Sequence, residues 1–118
     1  NSWKVCIKLM TKVSKTDKDT AIATYLHYSK IVLPKLAAQH PSRWPIQHDH
    51  CFQRVILDNV CGRAWYEAIP TPAYKNMTLE QARSAAKLSV EIATQQVCIH
   101  TLNNASLKWR DKQQAFSF

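Results

Sequence analysis

Residues 47–67 read QHDHCFQRVILDNVCGRAWYE, and the fold turns on this stretch. At about 100° per residue its apolar side chains fall on nearly every side of a helix. Phe52, Val55, Ile56, Leu57, Val60 and Ala64 leave only a narrow polar arc, formed by Arg54, Asp58 and the position of Gly62. A helix apolar all round belongs in the middle of a core. The expectation is therefore an all-α protein, with four to five helices in a compact bundle around a buried central helix at about 47–67.

The polar arc is the first candidate site. His50, Arg54 and Asp58 stand at i, i+4 and i+8, a spacing at which side chains on one helix touch. Cys51, Cys61 and Trp65 border the arc. Two readings follow. Arg54 and Asp58 could form a structural ion pair, because charged residues are seldom buried unless paired. Alternatively they could line a polar pocket, with Arg54 binding an anion or a base edge and Asp58 or His50 moving a proton. Cys51, with His50 or His48 as base, completes the list of candidate catalytic residues.

Composition removes many alternatives. The 118-residue chain holds one glycine, where ordinary usage gives about eight. Phosphate-binding loops, dinucleotide folds and the nucleophile elbow all need more. The scarcity also argues against tight hairpins. At 46% hydrophobic and 20% charged, the chain reads as globular rather than disordered, and its length fits one domain spanning 1–118. No run approaches the roughly 18 apolar residues that a membrane span needs.

The formal net charge is +8, from 16 Lys and Arg against 8 Asp and Glu. Such a balance suits an acidic partner, and nucleic acid is the leading expectation, held through phosphates. Whether DNA or RNA is left open. On a helical reading of residues 3–13, Lys4, Lys8, Lys12 and Lys15 form a row that would face phosphate. Arg43, Lys108 and Arg110 stand beside Trp44 and Trp109, where bases could stack. A solvated helix face is the plainer meaning of the lysine row. The runner-up function is a small enzyme or ligand-binding protein using the pocket around His50, Arg54 and Asp58. The third is an interaction module. Trp3, Val5, Ile7 and Leu9 alternate as in a strand, and a lone strand would pair across a homodimer.

The cysteines are Cys6, Cys51, Cys61 and Cys98. On one helix Cys51 and Cys61 would lie about 15 Å apart, beyond the roughly 7 Å that a disulfide tolerates. Thiols on apolar helical faces suggest an intracellular setting. Two glycosylation acceptor patterns, Asn76-Met-Thr78 and Asn104-Ala-Ser106, pull the other way. His48, Asp49, His50 and Cys51 are metal-ligand types, but two histidines two apart on a helix diverge. The spacing of zinc sites is missing, and no metal or cofactor is assigned.

The remaining elements follow from punctuation. A helix should run from about Thr20 to Leu33, with Ile22, Leu26 and Leu33 inward and Asp17 or Asp19 as its cap. Pro34 should kink or end it. Residues 40–45 are a loop, and Pro70 and Pro72 keep 69–77 from being helical throughout. Thr78 to Gln81 form a capping box. The helix it starts should run to about 102 as the main neighbour of the central helix, burying Leu79, Ala82, Ala86, Val90, Ala93 and Val97. Asn103 and Asn104 should break the chain before a short last helix at 105–115.

Overall fold

A computed structural model describes residues 14–116, with side chains described over 17–111. The fold is all-α, and no strand occurs among the described residues. Residues 3–13 lie outside them, and with them Lys4, Lys8 and Lys12 and the segment expected to dimerise.

The first rod is α1 (Ser14–His27), continued by a π-helical turn (Tyr28–Val32) into α2 (Leu33–Gln39). Pro34 explains the wide turn. It lacks an N–H, and its ring crowds the carbonyl four residues back. The chain neither ends nor breaks here. It shifts register, so that the Leu33 amide donates to the carbonyl of Tyr28, five residues back. The helix expected from about Thr20 already begins at Ser14. Asp17 sits in its first turn and pairs with Arg83 at 3.0 Å.

The central helix is α3 (Asp49–Cys61), shorter than expected at both ends. Phe52, Val55, Ile56, Leu57 and Asp58 are buried, as a helix apolar on most sides demands. It stops because Gly62, at φ 71°, takes the left-handed conformation and donates its N–H to the carbonyl of Asp58. The chain's only glycine is thus a helix terminator. Beyond it Trp65–Glu67 form a 3-10 turn rather than more α-helix.

After the short α4 (Ala73–Asn76), the Thr78 capping box starts α5 (Leu79–Ala93) as the sequence indicates. The Gln81 amide donates to Thr78 Oγ1 at 3.1 Å, and the Thr78 amide donates to Gln81 Oε1 at 2.9 Å. The buried face of α5 is Ala82, Ala85, Ser89 and Ile92. It is turned from the expected stripe, because its main neighbour is α1 and not α3. Small residues at 82, 85 and 89 let the two rods approach closely.

The chain then turns at 94–98, not at Asn103 and Asn104. Gln95, at φ 60°, makes the reversal, and α6 (Ile99–Phe116) runs straight through both asparagines. Asn103 is buried against α3, while Asn104 is exposed on the outer side of α6. α3 contacts α5, α6 and the π-turn to similar extents, so it is central, as the apolar wheel requires.

Candidate functional site

The His50–Arg54–Asp58 ladder does not form. Each member turns to a different partner. Asp58 is fully buried, and its carboxylate accepts from two segments at once. Arg110 grips it in a fork, Nε to Oδ2 at 2.8 Å and Nη2 to Oδ1 at 3.1 Å. The Ser106 hydroxyl donates to Oδ2 at 2.6 Å, and the Trp65 amide donates to Oδ1 at 2.9 Å. A charge taken out of water needs this degree of satisfaction. The Arg110 guanidinium also lies over the Tyr66 ring, 5.4 Å from its centroid. The ion pair read as Arg54–Asp58 is therefore Arg110–Asp58, across 52 positions of chain.

Arg54 is half-buried, and its Nη2 donates to Asn103 Oδ1 at 2.6 Å. Asn103 is neutral, and no carboxylate among the described residues lies within ion-pair distance of Arg54. The two arginines thus differ in kind: Arg110 is neutralised and Arg54 is not.

His50 stays on the surface beside Asp49, 3.6 Å from its carboxylate. Its ring stacks on His48 at 5.6 Å. The expected divergence of the two histidines fails because His48 is not helical. It holds the extended conformation that precedes α3. Cys51 is a half-buried free thiol, with no hydrogen bond to either histidine among the described residues.

A cavity of about 330 Å³ joins two of the predicted residues. Its wall includes His50, Gln53, Arg54 and Leu57 from α3, Tyr25 and Leu26 from α1, and Trp65, Pro72 and Tyr74 from the following segment. Asp58 does not reach it directly, but it sets the wall by holding the Trp65 backbone. The π-turn adjoins the same region. Its buried Ser29 receives a long 3.5 Å contact from Gln53. Widened turns of this kind recur beside functional sites.

Sequence reasoning places no role on Tyr25, and the structure gives it one. It is 2% exposed, and burial pushes its phenol well above the ordinary value. Its hydroxyl has no hydrogen-bond partner among the described residues. No buried side-chain oxygen among them is sealed off without a partner, so this hydroxyl is not fully enclosed, and Tyr25 belongs to the cavity wall. The available signal is its spacing to Ser29 and Leu33 on one helical side, which marks burial but not an opening.

A larger hollow, about 470 Å³, lies between the 40–44 loop and the 95–99 turn, with Arg43, Trp44 and Cys98 in its wall. None of the α3 candidates reaches it. His100 Nε2 lies 3.0 Å from the Arg43 carbonyl, holding the two segments together. Of the proposed phosphate contacts, Arg43 and Lys108 are exposed, whereas Arg110 is committed to Asp58. Lys15 belongs to α1, with its side chain outside the described set, and Lys4, Lys8 and Lys12 lie outside it altogether. No described helix is long and apolar enough to cross a membrane.

Comparison with family models, with curated proteins and with solved structures returns no match for this chain.

Proposed function

We propose that this protein is a small-molecule-binding helical domain, its ligand seated in the cavity between α1, α3 and the 65–74 segment. One observation carries the reading: a half-buried arginine in the cavity wall whose only described polar partner is a neutral amide. A cation partly removed from water is costly unless something of opposite charge completes it. Arg110 shows how the same molecule completes an arginine when the purpose is structural. Apolar walls with a few convergent polar groups are the usual form of a ligand site, and about 330 Å³ lies at the small end of the range.

The test is a fragment screen by amide chemical-shift mapping on the full chain. Hits should perturb Leu57, Trp65 and Tyr74 together. Hits that gather at the 40–44 loop and the 95–99 turn instead would move the site to the larger hollow and end this reading. A bound ligand should also raise stability by about 2.7 kcal/mol at 100 times its Kd.

A second reading is favoured by the net charge of +8, namely nucleic-acid binding through phosphates. It rests on surface cations rather than on the cavity, and so is separable from the first. Phosphate binding weakens steeply as salt rises, because counterions are released. Occupation of a half-buried cavity is much less sensitive.

A further inference from the structure

Resting on the cavity reading, we propose that the ligand is a small aromatic monocarboxylate carrying one further oxygen acceptor, its carboxylate on Arg54 and that acceptor on the Tyr25 hydroxyl. The number of charges comes from the wall. Arg54 is the one Lys or Arg among the wall residues, and a single guanidinium balances a single negative charge. A phosphate dianion would call for further cations or a cluster of backbone amides. Geometry favours the carboxylate as well, because the planar guanidinium fork matches two coplanar oxygens. Asn103 takes one N–H at 2.6 Å, which steadies the fork and leaves its other donors for a ligand.

The acceptor comes from Tyr25. That residue is nearly enclosed and lines the cavity, and its hydroxyl has no partner among the described residues without being sealed off. The phenol keeps its proton at any ordinary pH, since burial raises its titration, so it acts as an O–H donor to neutral oxygen. An unmade hydrogen bond at such a group is costly, and a ligand oxygen removes that cost. The flat body comes from the rest of the wall. Leu57 is buried, and Trp65 and Tyr74 add two aromatic side chains to the wall, which favour an aromatic partner in offset or edge contact.

The experiment uses the full chain and four probes: 3-phenyllactate, 3-phenylpropionate, 3-phenylpropanamide and inorganic phosphate. Titration followed by calorimetry and amide shifts should give binding of 3-phenylpropionate at least about tenfold tighter than its amide. Phenyllactate should be tighter again by several-fold. Tyr25→Phe should erase the advantage of phenyllactate, and Arg54→Gln should make acid and amide equal. Equal binding of acid and amide by the parent chain overturns the anion assignment while leaving the cavity reading intact, and this comparison needs no variant to fold. Phosphate binding tighter than 3-phenylpropionate overturns the carboxylate assignment. No binding by any aromatic probe, the neutral amide included, overturns the proposal, while the cavity reading is decided by where the fragment hits gather.

Discussion

At the scale of single residues, Asp58 and Arg54 illustrate two fates for a charge in a helical core. Asp58 is satisfied by four hydrogen bonds from three residues. Breaking a buried pair from one side leaves a charge unmatched, at a cost of about 3–5 kcal/mol. Arg110→Met should therefore lower stability by that order in urea melts. Asp58→Leu should cost less, because Arg110, 26% exposed, can turn to water. The double change should recover much of the loss but not all, since Ser106 and the Trp65 amide lose their acceptor. Arg54→Met breaks only a bond to a neutral amide, and should cost about 1–3 kcal/mol. A larger loss for Arg54→Met than for Arg110→Met would reverse the assignment of the structural pair. The ladder misleads because i, i+4 spacing shows only which groups could meet on one helix. Nothing at position 58 announces a partner at 110.

The cysteines give a second prediction at this scale. Cys98 is exposed at the start of α6, and hydrogen bonds from Thr101 and the His100 backbone lower its pKa. Cys61 is partly buried, and its pKa is raised by burial first and by the nearby Asp58 charge next, with Arg63 opposing. The thiolate is the reactive form, and its fraction grows as pH rises through the pKa. The lowered group reaches that point sooner. Iodoacetamide should label Cys98 well before Cys61 near neutral pH, with the gap narrowing in alkaline buffer. Peptide mass mapping against time at two pH values checks this, and equal rates near neutrality would contradict it.

At the scale of elements, local chemistry is legible wherever the signal is itself local. The Thr78–Gln81 box is one case, and Thr78→Ala should cost about 1 kcal/mol. Gly62 is another, although the wheel hides its meaning. A lone glycine just after an apolar helical run marks a left-handed end, yet on the wheel it passes as part of the polar arc of a longer helix. An added Cβ would meet nothing within 4 Å at Gly62. Gly62→Ala should therefore cost only the conformational strain, about 1–2 kcal/mol, and Gly62→Asn less. Thermal melts of both variants would show this order, and an unaffected Gly62→Ala would argue against the left-handed turn. The single run expected over 78–102 fails differently. Asparagines favour turns in isolation, but Asn103 is taken by Arg54, and a tertiary bond overrides the local preference.

At the scale of the whole molecule, the helical class and the buried centre are plain from one glycine and the wheel of residues 47–67. The packing partners are not, because apolar periodicity shows which face is buried and never against what. The cavity is half legible. His50 and Arg54 come from spacing and Trp65 from its place beside the polar arc, whereas Tyr25 and Tyr74 are gathered by the fold from separate segments. The net charge carries its own prediction. On the nucleic-acid reading, changing Lys4, Lys8 and Lys12 together to Gln should weaken any binding to a randomised duplex about evenly across sequences. The salt slope should fall by roughly one unit for each phosphate no longer neutralised. Unchanged affinity and slope would show that those lysines meet only solvent.

The ties between α3 and α6 bear on what the chain can lose and still assemble. Arg54 to Asn103, Asn59 to the Leu102 carbonyl at 3.0 Å, and Asp58 to Ser106 and Arg110 all cross between these helices. The exposed 94–96 turn looks like a seam where the protein could be divided. A protease cut there would sever one backbone strand yet leave every one of those polar links in place, so the two pieces should travel together as a complemented pair. Omitting the second piece is another matter: Asp58 would then face the core with no guanidinium opposite it.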